Sequence, residues 1–163
     1  MRIAIGSDHA GFEQKQMLVD YLTNELGHEV IDLGPDTDGR VDYPDYGEKV
    51  ARSVASGEAD RGVAVCGTGI GIALAADKVA GVRASSITSP EFADLFRRHN
   101  DGNVIGLSGR FVDPEVNRDI VRVFLTSEFE GGRHAQRVAK IMKLDESGKV
   151  EGGQRPPVMP INR

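Results

Sequence analysis

Short apolar runs of strand length alternate with longer amphipathic stretches along most of this chain, and that alternation admits very few folds. Ile3-Ala4-Ile5 reads as a buried first strand ending at Gly6. Residues 12–26 then carry Leu18, Tyr21, Leu22 and Leu26 at helical spacing, with Gly27 as a C-terminal cap. Glu29 to Leu33 is a second strand, stopped by Gly34-Pro35. Past an Asp- and Gly-rich loop, Tyr46, Val50 and Val54 mark a helix. Gly62 to Cys66 is a third strand, and a short Ala-rich helix opens from Gly71. Val82 to Ile87 is a fourth strand and Asn103 to Leu107 a fifth. Ser89-Pro90-Glu91 and Asp113-Pro114-Glu115 each combine a cap, a proline at the first helical position and an acid in the first turn. The helix after Asp113 runs to about Phe129. A last helix begins near Gly132, with Ala135, Val138, Ile141 and Met142 on one face.

Five strands alternating with helices predict an α/β fold: a three-layer α/β/α sandwich on a five-stranded parallel sheet, Rossmann- or flavodoxin-like. Right-handed crossovers favour the order 2-1-3-4-5. The 163 residues suit one domain, assigned to 1–144. The remainder, 145–163, is rich in Gly and Pro and reads as a non-helical tail, either disordered or packed on a partner subunit.

A net charge of -5 points away from nucleic acid and from anionic membranes, so an anionic ligand has to be held by local donors. One cysteine permits no intrachain disulfide, which fits a reducing compartment. The start, with its short apolar run broken at Ser7-Asp8-His9, resembles neither a signal peptide nor a membrane span. The expected location is the cytoplasm.

In such sheets ligands bind beyond the carboxyl ends of the strands, where strand order reverses. Here that point lies between the first and third strands, which are followed by Gly6-Ser7-Asp8-His9-Ala10-Gly11 and Cys66-Gly67-Thr68-Gly69-Ile70-Gly71. The second loop leaves backbone N–H groups able to converge on a negative oxygen at a helix N-terminus. Dinucleotide binding would need Gly-x-Gly-x-x-Gly and an acid closing the next strand; the chain has Gly-x-Gly-x-Gly and Ile87-Thr88. Cys66 sits where a thiol is lowered from about 8.5 toward neutrality, which suits general acid/base work, although strand cysteines are commonly inert core residues. Asp8 and His9 read either as a cap and a surface histidine or as groups handling hydroxyl protons and oxygens. His99-Asn100 closes the helix after the fourth strand, at the sheet edge opposite the glycine loop. His99 reads either as a cation closing a helix C-terminus or as a group that would reach such a loop most easily in a neighbouring subunit, which implies a dimer with shared sites. Arg133 and Arg137 stand one helical turn apart behind two glycines and read either as solvated surface or, with His134, as a phosphate clamp, which their local excess in a net-acidic chain favours. Arg110, after the fifth strand, is a third candidate. No Cys/His/Asp spacing resembles a metal site.

These motifs, with Asp42-Tyr43-Pro44, Arg98-His99-Asn100 and Gly131-Gly132-Arg133-His134, resemble the ribose-5-phosphate isomerase B family, which includes galactose- and allose-6-phosphate isomerases. The resemblance runs from Met1 to about Leu144. It implies an aldose–ketose isomerase acting on ribose 5-phosphate and ribulose 5-phosphate, by ring opening and enediolate proton transfer. Cys66 would be the base; members lacking it use a glutamate at the position matching Ile72. Thr68 and the amides of Gly67, Gly69, Ile70 and Gly71 would stabilise the enediolate. His99 would protonate the ring oxygen while Asp8 assists opening. His9, Tyr43, Asn100 and Arg110 would contact the sugar phosphate, and Arg133 and Arg137 its phosphate. The family implies homodimers or dimers of dimers with shared sites, and neither metal nor organic cofactor. The same chemistry on allose 6-phosphate, galactose 6-phosphate or erythrose 4-phosphate is the first alternative. A non-catalytic nucleotide- or flavin-binding module is a distant second, and a peroxide-sensing Cys66 a weaker third, since no resolving cysteine exists.

Overall fold

The computed structural model describes residues 1–147. Five parallel strands form one sheet: β1 Arg2–Ser7, β2 Glu29–Asp32, β3 Arg61–Cys66, β4 Ala84–Ser86 and β5 Val104–Ser108. The helices are α1 Phe12–Asp20, α2 Tyr43–Ala55, α3 Ile70–Asp77, α4 Pro90–Asn100, α5 Pro114–Thr126 and α6 Arg133–Ser147. A 3₁₀ turn, His9–Gly11, leads into α1, and a wider π turn, Tyr21–Glu25, continues it.

Strand alternation distributes the core. Ile3, Ile5, Val63, Val65, Ile105 and Leu107 face Leu18, Leu22, Ile120 and Phe124 of the α1 and α5 layer. Ala4 and Val104 point the other way, onto Val50, Ala51 and Ala76 of the α2 and α3 layer. Both faces are covered, which is why β1, β3 and β5 read as continuous apolar runs. The caps work as their residues suggest: the Ser89 hydroxyl accepts from the Phe92 amide, and the Asp113 carboxylate accepts from the Glu115 amide.

Two helix ends and one strand order differ from expectation, and β4 keeps only Ala84–Ser86 of the expected Val82 to Ile87. The sheet runs 2-1-3-5-4, not 2-1-3-4-5. All five residues of β5 are buried, whereas the Ala-Ser-Ser of β4 is only half-buried. The strand with more apolar surface takes the interior place, and the short polar one takes the edge. The fold class is unaffected, and β1 and β3 still flank the reversal of strand order. Helix α5 stops at Thr126, since Ser127 turns extended and its hydroxyl donates to Asp94 at 2.7 Å. Helix α6 continues to Ser147, so the non-helical tail does not begin at Asp145. Asp145-Glu146-Ser147 contains no helix breaker before Gly148, and Asp145 accepts from the Gly81 amide at 2.8 Å. The rest of the expected tail lies outside the described residues.

Candidate active site

The loops after β1 and β3 meet at the carboxyl edge of the sheet. Asp8 is buried at the end of β1; its amide donates to the Val65 carbonyl at 3.0 Å. Its carboxylate accepts from the Gly11 amide at 3.0 Å, so the capping role is filled. Cys66 closes β3 with only 4% of its surface exposed. The Gly69 amide points at its sulfur, N to Sγ 3.2 Å. Gly69 sits at φ +77°, where an added Cβ would lie 2.8 Å from the Leu107 carbonyl carbon, so only glycine fits. The Ile70 amide donates to Thr68 Oγ1 at 3.2 Å. The amides of Gly67, Thr68 and Gly71 have no acceptor among the described residues.

The end of β5 fastens this loop. The Gly109 amide donates to the Cys66 carbonyl at 2.7 Å, and the Gly67 carbonyl accepts from Ser108 Oγ at 2.9 Å and from the Arg110 amide at 3.2 Å. Arg110 therefore lies beside the loop, with a Cβ built on Gly67 falling 3.6 Å from its Nη1. The Tyr43 ring covers Gly71, where a built Cβ would meet it at 2.8 Å. His9 Nδ1 lies 3.2 Å from the Val41 carbonyl, and His9 and Arg110 line one open cleft with Asp38 and Phe111. Behind the sulfur, Ile72 packs with Ala64 and Cys66, so no acid occupies that position.

A second cluster forms where α4 ends and α6 begins. His99 and His134 stack face to face, with ring centroids 4.2 Å apart and planes 6° from parallel. Glu130 Oε2 lies 3.9 Å from His99 Nε2 and 3.5 Å from His134 Nε2. Its other oxygen ion-pairs with Arg98, which also bonds Asp94 at 3.0 Å. The Arg98 hydrogen bond holds the Glu130 carboxyl below its ordinary range. Burial, then the charges of His99 and Arg133, push His134 below the usual imidazole value. Arg133 Nε donates to His134 Nε2 at 3.4 Å, and Arg137 adds its charge from the next turn of α6.

One chain does not bring the two clusters together. The Asn100 and Asp101 carbonyls accept from Arg83 just before β4, at the amino edge of the sheet, whereas Ser108 and Gly67 meet at the carboxyl edge. The length of β5 separates these edges, about 17 Å at ~3.3 Å per residue. Asp8, His9, Tyr43, Cys66 to Gly71 and Arg110 thus gather at one edge of the sheet, and His99, Asn100, Arg133 and Arg137 lie apart from them.

Sequence reasoning passed over Glu130, whose only trace is its position four residues before His134. With His99 and His134 it forms a group of three candidate metal ligands within 4.8 Å of one another, which no sequence spacing had marked. Arg98, Arg133 and Arg137 surround that group, so its field suits an anion better than a cation.

The sequence model of the Ribose/Galactose Isomerase family matches residues 3–141. A ribose-5-phosphate isomerase B of Escherichia coli is 46% identical over 145 residues, covering 89% of this chain and 97% of that protein. The solved ribose-5-phosphate isomerase B of Clostridium thermocellum superposes with a TM-score of 0.89 at 48% identity, over 91% of this chain and 100% of that one. That of Mycoplasma genitalium, solved with bound ribulose-5-phosphate, gives 0.85 at 41% identity, over 89% and 96% of the two chains. Among the described residues no helix is long and apolar enough to cross a membrane.

Proposed function

The chain belongs to the ribose/galactose isomerase family, and on that premise we propose that it interconverts ribose 5-phosphate and ribulose 5-phosphate through an enediolate, with Cys66 as the base. The observation that carries this reading is the Cys66 sulfur held 3.2 Å from the Gly69 amide, in a loop at the sheet's switch point whose Gly67, Thr68 and Gly71 amides have no acceptor among the described residues.

Abstracting a proton next to a carbonyl builds charge on two oxygens. The amides of Gly67, Thr68 and Gly71, with Thr68 Oγ1, are the donors for that charge, and one such donor is worth ~3 kcal/mol where water is excluded. Cys66 moves the proton between the first two sugar carbons, a contribution of roughly 10²–10⁴-fold. The Gly69 amide stabilises the Cys66 thiolate that takes the proton from one carbon and is regenerated when the proton is delivered to the other. Asp8 assists opening of the furanose and His99 protonates its ring oxygen. His9, Tyr43, Asn100 and Arg110 contact the sugar phosphate, while Arg133 and Arg137 grip the phosphate, binding remote from the reacting carbons.

Such a site requires two copies of the chain, because its acid and its base lie at opposite edges of the sheet. A homodimer, alone or paired into a dimer of dimers, supplies both. Ile70 and Leu74 on α3 and Phe92 and Leu95 on α4 are 56%, 61%, 61% and 40% exposed, apolar surface available to a second copy. The test is complementation. Cys66→Ala and His99→Ala are each expected to lose nearly all turnover while still binding phosphate ligands. Mixed and re-equilibrated, they should recover about one quarter of wild-type activity, from one intact shared site in each heterodimer. Wild-type-like turnover by Cys66→Ala removes the thiol from its role, and no recovery on mixing removes the shared site. Running the assay with ribose 5-phosphate, allose 6-phosphate, galactose 6-phosphate and erythrose 4-phosphate identifies the preferred sugar.

A further inference from the structure

Beneath the cleft that His9 and Arg110 line lie two buried primary amides to which the reaction above gives no task. Asn117 of α5 is fully buried and Gln14 of α1 is 8% exposed. Together they carry four N–H bonds, and each of the four finds an acceptor. Asn117 Nδ2 donates to the Ser108 carbonyl at 2.9 Å and to Gln14 Oε1. Gln14 Nε2 donates to the Gly109 carbonyl at 3.2 Å and to the Val112 carbonyl at 3.3 Å. Asn117 Oδ1 is left without a partner among the described residues. Packing of α1 on α5 does not call for this arrangement, since an apolar pair would fill the space with no orphaned oxygen. What the amides add is direction. They draw carbonyls on both sides of Arg110 toward two points fixed on two helices. From the other side, the Arg110 amide donates to the Gly67 carbonyl at 3.2 Å and the Phe111 amide to Ser108 Oγ at 2.9 Å.

We infer that Gln14 and Asn117 are positioning residues for Arg110: they fix the turn 108–112 from the helix layer, so that the guanidinium stands at the cleft before a phosphate arrives. The inference rests on the reading of Arg110 as a contact of the sugar phosphate, and it adds what holds that contact in place. A turn ordered in advance lowers the cost of binding, because the ligand does not have to order it. The base is anchored differently. Cys66 and Ser108 are partners in the ladder of β3 and β5, so the thiol stays with the sheet, whereas Arg110 lies beyond the ladder's end. Loss of the amides therefore moves binding and spares the chemical step.

Gln14→Met keeps the length of the side chain and removes both of its donors; Asn117→Ala removes the other two. Each should raise KM for ribose 5-phosphate, and weaken inorganic phosphate in calorimetry, by about three- to tenfold, with kcat within about twofold of wild type. Arg110→Ala should itself lose about 10–100-fold in phosphate affinity. Adding Gln14→Met to it should change little more, because the residue through which the amide acts is gone. A pair that merely packs α1 on α5 would lower the melting point and leave KM where it was. Hydrogen exchange in substrate-free protein reads the turn directly: the Arg110 and Phe111 amides should exchange faster in Gln14→Met, with those of β1 and β3 unchanged. Wild-type exchange at these two amides overturns the inference. So does an undiminished further loss when Gln14→Met is added to Arg110→Ala, or a wild-type KM in Gln14→Met beside a raised one in Arg110→Ala. Exchange needs neither turnover nor phosphate, so it decides the positioning even if Arg110→Ala binds phosphate normally, an outcome that would remove Arg110 from its proposed contact instead.

Discussion

Gly106 lies in the middle of β5, directly under the glycine loop, and replacing it by alanine tests whether the sheet holds that loop in place. A Cβ at this position would sit 2.3 Å from the Gly69 carbonyl oxygen and 2.8 Å from the Ala73 Cβ. A carbon and an oxygen need about 3.2 Å, so Gly69 and the start of α3 must retreat by roughly 1 Å. Neither neighbour is a flexible side-chain tip; one is backbone and the other a helix methyl. Overpacking of this kind costs about 1–3 kcal/mol, and the clash distance places it at the upper end. Restricting the unfolded chain returns ~0.4–1 kcal/mol. The net loss is about 2 kcal/mol, a fall of about 4–8 °C in Tm for a chain of this size. The same retreat carries the Gly69 amide away from the Cys66 sulfur, now 3.2 Å apart. A displacement of ~1 Å at a reacting group costs on the order of 10²-fold in kcat. Thermal melts and steady-state kinetics on Gly106→Ala measure both. A variant that melts within a degree of wild type and turns over normally would refute the claim that β5 sets the loop.

Two further outcomes follow from buried charge. Lys15 is fully buried and both oxygens of Asp32 receive its ammonium, at 2.7 and 2.8 Å; Asp32→Asn leaves that charge unpaired and should cost about 2–4 kcal/mol in urea denaturation, the side chain of Asp32 being partly open to water. Lys15→Met, which removes the buried charge itself, should cost clearly less, and the reverse ranking would contradict the ion-pair account. For pH, His134 and His28 both titrate below the ordinary imidazole value in the folded chain, chiefly through burial. The unfolded chain then binds more protons below about pH 6.5, so stability should be full above that value and decline as pH falls toward the folded values. Urea midpoints between pH 7 and pH 5.5 should show this slope, flatter in His134→Phe; an unchanged slope in that variant would exclude His134 as a contributor.

The layers of this fold were legible because they are written locally. Ile3 and Ile5 alternate with Ala4, the Ser-Pro-Glu and Asp-Pro-Glu starts lie within single turns, and Cys66-Gly67-Thr68-Gly69-Ile70-Gly71 is contiguous. The order of the last two strands was less legible, because it depends on a comparison between segments. Ala84-Ser85-Ser86 and Val104 to Ser108 both pass as strands in isolation, and only their competition for the interior of one sheet ranks them. The end of α6 failed for a similar reason. The composition beyond Asp145 turns to glycine and proline, but a helix stops at its breaker and not where average composition changes.

The candidate site divides along the same line. The grouping around Cys66 was readable residue by residue, since Asp8, Cys66 and the loop glycines stand at the ends of neighbouring strands. The grouping around His99 was readable only for residues whose neighbours in sequence made them conspicuous: His99 at a helix end, Arg133 and Arg137 behind two glycines. Glu130 had no such company. It acquires its meaning from the stacking of His99 on His134, across a sequence separation of 35 positions, and from Arg98, which pairs with it from another helix. No periodicity encodes a carboxylate's distance to two rings on different elements. An acid next to the proposed phosphate clamp also looks adverse in sequence, because it would repel the phosphate that the arginines are proposed to hold. It is tolerable here because Arg98 holds one of its oxygens while the histidines face the other. The local balance therefore remains positive at Arg133 and Arg137, in a chain whose net charge is -5.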